Sequence, residues 1–113
     1  MTTLLLLYLT SGLLLALLSL PLIAGIIPPN PIYGFRTRAT LSDPKLWYPA
    51  NRCAGRWLLA NGLSVALAAL LLYPIPGLSI DAYALACLVV VVVGLALALW
   101  RSFRCLRLLQ EDT

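Results

Sequence analysis

Residues 4–27 read LLLLYLTSGLLLALLSLPLIAGII, a run of 24 residues without a charged side chain. As an α-helix this run is about 36 Å long, which exceeds the roughly 30 Å thickness of the hydrocarbon core of a bilayer. Uncharged runs also cover residues 57–73 and 82–100, and the shorter of these needs the residues just before it to complete a span. The sequence therefore predicts three transmembrane helices.

The composition of the 113-residue chain agrees with a membrane location. Hydrophobic residues make up 62% of the chain and charged residues 11%, and the mean hydropathy is +0.97. A soluble domain carries roughly a quarter of its residues as charged side chains. We therefore predict an all-α integral membrane protein with a single domain over residues 1–113. Its predicted segments are a first span at about 4–27, a cytoplasmic loop at about 28–50, a second span at about 51–73, an external loop at 74–81, a third span at about 82–100 and a cytoplasmic tail at 101–113.

The first span is predicted to be retained rather than cleaved as a secretory signal. No Lys or Arg precedes it, its apolar run exceeds the roughly 7–15 residues of a signal sequence, and no clear cleavage motif follows. Pro21 lies inside the span and predicts a kink, because it removes one backbone hydrogen bond while the apolar run continues on both sides.

The positive charges predict the orientation of the chain. All eight Lys and Arg residues lie between the first and second spans or after the third span. Segments rich in Lys and Arg face the cytoplasm, so we predict that the N-terminus lies outside and the C-terminus lies in the cytoplasm. The residues concerned are Arg36, Arg38, Lys45, Arg52, Arg56, Arg101, Arg104 and Arg107.

The three cysteines are predicted to be free thiols. In this orientation Cys53 and Cys105 lie at the cytoplasmic ends of their helices, in a reducing compartment, and Cys87 lies within the membrane. Cys53 and Cys105 are interpreted as small apolar packing residues, with juxtamembrane acylation as the alternative.

Small residues at intervals of four predict where the spans pack. Helices in lipid associate through close contact of small side chains rather than through a hydrophobic driving force. The polar residues Asn61 and Ser64 are expected to form hydrogen bonds between helices. The predicted packing residues are Gly12 and Ala16 in the first span, Ala60, Ser64 and Ala68 in the second, and Ala82, Ala86, Gly94 and Ala98 in the third.

The residue types present disfavour several classes of function. The chain has no His and its only Met is at position 1, so we expect no cofactor and no metal site. No Asp, Glu, Lys or Arg lies within the runs 4–27, 57–73 and 82–100, which disfavours a proton- or ion-coupled transporter. We do not expect an enzyme, because no nucleophile–base pair occurs at a recognisable spacing. We also expect no nucleic-acid binding, since the net charge of +4 is confined to juxtamembrane positions.

Most of the polar chemistry lies in residues 28–56, which we expect to form a short segment at the cytoplasmic interface. Three prolines end the first span, and Gly34 between two aromatic residues predicts a turn that brings both rings into the interface. Asp43 followed by Pro44 predicts the start of a helix that leads into the second span. This helix is expected to be short and interfacial, or interrupted at Pro49.

One face of that helix is predicted to contact a neighbouring segment. Trp47, Asn51 and Gly55 lie on this face at intervals of four. Asn51 is predicted to bond the backbone of residues 30–38, and Arg36 is predicted to pair with the only acidic residue of the loop. The positive side chains are interpreted as ordinary positive-inside charge in contact with anionic lipid, or as a specific ligand site.

The same segment carries a long motif. Its residues are Pro29-Asn30-x-x-Tyr33-Gly34-Phe35-Arg36-Thr37, then Thr40-Leu41, then Asp43-Pro44-x-x-Trp47-Tyr48-x-x-Asn51-Arg52-x-x-Gly55. The motif resembles the signature loop of the SdpI family of bacterial membrane proteins. The resemblance implies a partner- or lipid-binding loop, with the site residues Asn30, Tyr33, Gly34, Phe35, Arg36, Thr37, Trp47, Asn51, Arg52 and Gly55.

The SdpI family is named for an immunity protein that shields the producing cell from a secreted toxic peptide and holds an autorepressor at the membrane. The resemblance therefore implies a protein of the bacterial cytoplasmic membrane that binds a toxin peptide or a cytoplasmic regulator. The alternative is a small accessory subunit of a respiratory, photosynthetic or transport complex. In either case the expected contacts are membrane lipids and another membrane protein, or a second copy of the chain.

Overall fold

The structure, a computed structural model, describes residues 1–111. α1, α3 and α4 are each long and apolar enough to cross a bilayer, and the described part of the chain contains no strand. The prediction of an all-α protein with three membrane-spanning helices is confirmed, and the protein is a multi-pass membrane protein. The helices in chain order are α1 (Thr2–Ala24), α2 (Arg38–Ser42), α3 (Pro44–Leu72) and α4 (Ile80–Glu111).

α1 ends at Ala24, three residues before the predicted end of the first span. Gly25 adopts a left-handed conformation with φ 74° and ψ 26°, and its amide donates to the Leu22 carbonyl oxygen. The next amide, that of Ile26, donates to the Pro21 carbonyl oxygen. This pair of bonds is a Schellman motif, which satisfies carbonyl groups left free at a helix end. The chain therefore leaves the helix at Gly25.

α3 begins where the sequence predicts a helix start. The Asp43 carboxylate accepts a hydrogen bond from the Lys45 amide at 2.9 Å, and Pro44 occupies the first turn. The helix then continues through Pro49 to Leu72 as one element of 29 residues. The predicted interfacial helix and the predicted second span are thus continuous.

α4 extends beyond the predicted third span. The sequence predicts that the helix ends near position 100, whereas α4 runs to Glu111. Leu106 is buried in a cluster with Leu46 and Ala50 of α3. Because the apolar face of the tail continues to pack against α3, the tail stays helical. The end of the predicted tail, residues 112–113, lies outside the described residues.

α3 lies between α1 and α4 and packs against both. It approaches α1 closely at Gly12 and Gly62, where a Cβ built on Gly12 would lie 2.6 Å from the Gly62 carbonyl oxygen. A Cβ on Gly62 would lie 2.5 Å from the Gly12 carbonyl oxygen. Ala16 and Ala66 are buried beside this contact. The predicted packing residues of the first span therefore lie where α1 meets α3.

The predicted packing rows of the other two spans lie only partly at contacts. In α3 the buried positions are displaced by one residue from the predicted row, because α3 has neighbours on two sides. The Ser64 hydroxyl donates to the Ala60 carbonyl oxygen of its own helix at 2.7 Å, so the hydrogen bond between helices that was predicted for Ser64 is wrong. The predicted residues are distributed as follows: Ala60, Ser64 and Ala82 are exposed, Ala68, Ala86 and Gly94 are half-buried, and Ala98 is buried.

Tyrosine side chains close the end of the molecule that carries the N-terminus. Tyr83 is fully buried, and its hydroxyl donates to the Ala69 carbonyl oxygen at 2.8 Å. The Tyr8 hydroxyl donates to the Ala84 carbonyl oxygen at 3.1 Å and so links α1 to α4. These bonds satisfy the two hydroxyl groups and hold all three long helices together at this end.

At the opposite end, Cys53 of α3 and Cys105 of α4 form a disulfide, with their Cα atoms 6.7 Å apart. The prediction of free thiols is wrong for this pair. It rested on the compartment alone, whereas the packing of α3 against α4 brings the two residues within bonding range. Cys87 is a free thiol and is buried.

Candidate partner-binding loop

The segment between α1 and α3, residues 25–43, is called the loop below and is fastened to the N-terminal part of α3. Trp47 is fully buried, and its indole Nε1 donates to the Ile27 carbonyl oxygen at 2.8 Å. The Arg52 Nε donates to the Ile23 carbonyl oxygen at 3.1 Å. Both bonds satisfy carbonyl groups at or just beyond the end of α1, where no helical partner follows.

Gly55 allows α1 to approach this part of α3. A Cβ built on Gly55 would lie 2.9 Å from Ile23 Cγ1 and 3.1 Å from the Ser19 carbonyl oxygen. Trp47, Asn51 and Gly55 were predicted to share a face that contacts a neighbouring segment. In the structure all three lie against α1 or the loop.

Asn30 organises the first half of the loop. Its Oδ1 accepts hydrogen bonds from the amides of Ile32 and Tyr33, at 3.0 Å and 2.6 Å. Its Nδ2 donates to the carbonyl oxygens of Pro28 and Tyr33, both at 2.9 Å. A single side chain thus pairs four backbone groups in a proline-rich segment that cannot pair them by forming a helix.

Asn51 holds the second half of the loop and is almost fully buried. Its Oδ1 accepts from the Phe35 amide at 2.5 Å, and its Nδ2 donates to the carbonyl oxygens of Trp47 at 2.9 Å and Phe35 at 3.3 Å. The predicted hydrogen bond between Asn51 and the loop backbone is therefore present. Glycine is required at position 34, because φ of Gly34 is 114° and a Cβ would lie 2.7 Å from Asn51 Oδ1.

A capping box starts α2. The Thr40 amide donates to the Thr37 hydroxyl at 3.1 Å, and the Thr37 amide donates to the Thr40 hydroxyl at 2.8 Å. The hydroxyl of Thr40, which is fully buried, also donates to the Phe35 carbonyl oxygen at 3.0 Å. Thr40 is missing from the predicted site; Thr37 and Thr40 have the spacing of a capping box, but a hydroxyl residue stands where Glu or Gln is usual.

The two aromatic residues beside Gly34 have different surroundings. Phe35 packs edge-to-face against Phe103 of α4, with ring centroids 5.1 Å apart. The Tyr33 hydroxyl is buried and has no hydrogen-bond partner among the described residues, and burial raises the pKa of this phenol above its usual value of 10.0. Phe103 is also missing from the predicted site, because nothing in the sequence indicates that α4 reaches the loop.

Arg36 does not form the predicted ion pair with Asp43. Its guanidinium donates to the Pro31 carbonyl oxygen within the loop. The carboxylate of Asp43 instead accepts from the Lys45 amide at the start of α3. The prediction is wrong because the Asp43 side chain is used to cap a helix, while Arg36 is used to bind a backbone carbonyl group.

The outer surface of the loop, formed by Ile32, Arg36, Arg38 and Leu41, combines apolar and positive side chains. All four are exposed, and Ile32 is 83% exposed. Most of the predicted site residues do not belong to this surface. Of those ten residues, Arg36 and Arg52 are exposed and the other eight are buried or half-buried. The motif therefore builds the frame of the loop, and other residues present the surface that a partner would meet.

The fold and the loop together define a class of protein. It is a small multi-pass helical membrane protein in which a loop, held by hydrogen bonds within itself and to α3, covers one end of a three-helix bundle. The profile of the SdpI/YfhL protein family matches residues 26–101, which contain nearly all of the loop, α3 and the membrane-spanning part of α4. Since this match covers more than half of the chain, the protein belongs to the SdpI/YfhL protein family.

The chain is also similar to a curated protein of Bacillus subtilis (strain 168) named "Uncharacterized protein YfhL". The two sequences are 43% identical over 60 residues, which cover 47% of this chain and 54% of the relative. The chain thus spans about half the length of the curated relative that it matches. No solved structure matches it.

Proposed function

We propose that this protein is a binding protein of the bacterial cytoplasmic membrane, whose loop surface engages another protein. In this proposal the N-terminus lies outside, and the loop and the end of α4 face the cytoplasm, as the distribution of Lys and Arg favours. The Cys53–Cys105 disulfide then lies at the edge of a reducing compartment, where such bonds are usually transient. The proposed role is immunity to a toxic peptide, or signalling through retention of a regulator at the membrane, rather than catalysis. Membership of the SdpI/YfhL family supports this role.

The observation that carries the proposal is the use of the polar groups of the loop. Asn30, Thr40 and Asn51 bond to the backbone of the loop, so they hold its shape. Because this frame is preformed, the side chains of the loop surface lose little conformational freedom when a partner binds. Two arginines beside apolar side chains suit a partner segment that carries both acidic and apolar residues.

Site-specific photo-crosslinking in the native host tests the proposal. A photoreactive phenylalanine analogue replaces Ile32 or Arg38 in the loop surface, and Leu71, an exposed residue of α3 far from the loop, serves as the control. We expect a discrete crosslinked protein from the two loop positions and none from Leu71. A large membrane protein crosslinked equally from all three positions would instead identify an accessory subunit and contradict the proposal.

A second experiment tests the role of the charges. The double substitution Arg36→Glu, Arg38→Glu should abolish the crosslink and the protection of cells against toxic peptides in the culture supernatants of related strains. Arg107→Glu, an exposed position near the end of α4, is the matched control and should leave both unchanged. Unchanged sensitivity of a strain that lacks the protein altogether would remove the immunity role.

A further inference from the structure

A groove between α3 and α4 is open to the surroundings of the helices. It has a volume of about 370 Å³ and is lined by small or apolar residues, among them Ala60 of α3 and Val93, Gly94 and Leu97 of α4. Ala60, Val93 and Leu97 are exposed, although they lie at the level of the membrane spans. Hydrocarbon chains are therefore the natural surroundings of the groove. We call it the α3–α4 groove.

Asn61 lines this groove with a side chain that has no partner. It is 4% exposed, and neither its Oδ1 nor its Nδ2 has a hydrogen-bond partner among the described residues. The side chain lies against Gly94, where an added Cβ would overlap Oδ1. An unpaired amide in apolar surroundings costs free energy, which a ligand with its own polar groups can offset.

The end of the groove nearest the loop carries an arginine held between two tryptophans. The guanidinium carbon of Arg101 lies 5.2 Å from the ring centroid of Trp57, which lines the groove, and 4.9 Å from that of Trp100. The Nε of Arg101 is buried and has no hydrogen-bond partner among the described residues. The guanidinium carbon of Arg104 also lies near this cluster, 5.9 Å from the ring centroid of Trp100. Tryptophan and arginine are typical of the level at which lipid headgroups lie.

We propose that the α3–α4 groove binds one anionic phospholipid. An acyl chain lies along the apolar walls, the phosphate accepts hydrogen bonds from Arg101, and an ester group of the glycerol bonds to the carboxamide of Asn61. Trp57 and Asn61 are four residues apart on α3, about 6 Å along the helix axis. The esters of a phospholipid lie a few bonds below its phosphate, so the two unpaired groups follow the order of polar groups along one lipid.

Charge distinguishes a lipid from a second copy of the chain. The positive Arg101 side chain, whose Nε has no hydrogen-bond partner among the described residues, suits an anionic ligand, and the described acidic residues are not placed to supply the negative charge. A flexible acyl chain also follows a groove walled by valines more readily than a rigid helix does. The acidic residues are Asp43, which caps α3, Asp81, which lies at the opposite end of α4, and Glu111, which lies nearly three turns beyond Arg101.

Native mass spectrometry of the full chain in detergent tests the site. Phosphatidylglycerol and phosphatidylcholine are added in equal amounts, and we expect one phosphatidylglycerol retained per chain in preference to phosphatidylcholine. Val93→Trp places a bulky ring in the groove and should abolish this retention. Val92→Trp is the matched control, because Val92 is adjacent and equally exposed, at 55% against 52%, but does not line the groove.

Arg101→Gln tests the headgroup contact separately, in case Val93→Trp disturbs the fold. It should weaken the retention of phosphatidylglycerol about fivefold and remove the preference over phosphatidylcholine, whereas Arg107→Gln should not. Equal retention of the two lipids by the unmodified chain would overturn the proposal, and so would equal losses from Arg101→Gln and Arg107→Gln. A dimer that Val93→Trp dissociates would show that a second copy occupies the groove instead. The loop is untouched by these substitutions, so the outcome is independent of the proposed protein binding.

Discussion

Asn51 and Asn61 are identical side chains ten residues apart on α3, and the structure uses them in opposite ways. Asn51 is 2% exposed and forms three hydrogen bonds, two of them to Phe35 of the loop. Asn61 is 4% exposed and has no hydrogen-bond partner among the described residues. A buried polar group without a partner costs about 1–3 kcal/mol. The carboxamide of Asn51 is thus satisfied by hydrogen bonds within the chain, whereas that of Asn61 at the α3–α4 groove is left for a ligand.

The backbone around each asparagine explains the difference. The loop has little regular secondary structure, so its amides and carbonyl groups need partners, and Asn51 supplies two of them. Asn61 lies between two regular helices, whose backbone groups are paired within each helix. No irregular backbone segment therefore lies beside its carboxamide in the way that Phe35 lies beside that of Asn51.

The largest effect is expected from Asn51→Ala compared with Asn61→Ala. Asn51→Ala leaves the buried Phe35 amide unpaired and removes one of the two hydrogen bonds that the Phe35 carbonyl oxygen accepts, so it should lower the free energy of unfolding by about 2–3 kcal/mol. Asn61→Ala removes an unpaired amide and should leave stability unchanged or raise it. Thermal unfolding in detergent, followed by tryptophan fluorescence, measures both. Equal losses from the two substitutions would show that Asn61 has a partner after all.

The next largest effect on stability is expected from substitution of two glycines. Each of them faces the Oδ1 of an asparagine. Gly34→Ala should cost about 1–3 kcal/mol, because Gly34 has φ 114° and Asn51 is held by three hydrogen bonds. Gly94→Ala should cost less, because Asn61 has no bonds to break and its side chain can rotate away. The same unfolding measurement applies. The double variant Gly94→Ala, Asn61→Ala is the control and should recover the stability lost by Gly94→Ala alone.

The sequence was sufficient to predict features that depend on neighbouring residues. Charge-free runs of sufficient length span a bilayer whatever they pack against, and Asp43 before Pro44 starts a helix from its own side chain. The bond from Asn51 to the loop followed from its spacing with Trp47 and Gly55, which puts all three on one face. The motif residues were identified, but their burial shows that most of them hold the loop rather than form its outer surface.

Features that depend on how two helices are placed against each other were not predicted. The disulfide requires Cys53 and Cys105 at one level of α3 and α4, which no local pattern records. The packing row of α3 was displaced by one residue because small residues occur on both of its packed sides. The unpaired state of Asn61 also depends on its position against Gly94. These errors all concern the placement of α3 against its neighbouring helices.

The disulfide tests whether the groove depends on the placement of those two helices. Cys53 precedes Trp57 by one turn and Cys105 follows Arg101 by one turn, so the bond lies just beyond the headgroup end of the groove. Cys53→Ser should reduce the retention of phosphatidylglycerol, because no covalent bond then fixes the spacing of α3 and α4 at this end of the groove. Maleimide labelling of denatured protein should modify only Cys87 before reduction. Labelling of all three cysteines without a reductant would contradict the disulfide.

The smallest effect on stability is expected from Tyr33→Phe. This substitution tests a loop side chain whose polar group the described residues do not satisfy. The Tyr33 hydroxyl is buried and, like the Asn61 amide, has no hydrogen-bond partner within residues 1–111, so its removal should leave stability near neutral pH unchanged. Burial raises the pKa of Tyr33 in the folded protein. The neutral phenol therefore favours the fold below about pH 10, and this contribution is lost as the pH rises through the raised pKa.

The free energy of unfolding, measured between about pH 8 and about pH 11, distinguishes the unmodified chain from the Tyr33→Phe variant. The unmodified chain should lose more stability over this range than Tyr33→Phe, because only the unmodified chain must ionise a desolvated phenol at position 33. Identical losses would mean that water reaches Tyr33 through the cavity of about 200 Å³ that it lines with Leu58. The loop would then contain an open polar site of its own, and the contrast between a closed loop and an open groove would hold only for the Asn51 half of the loop.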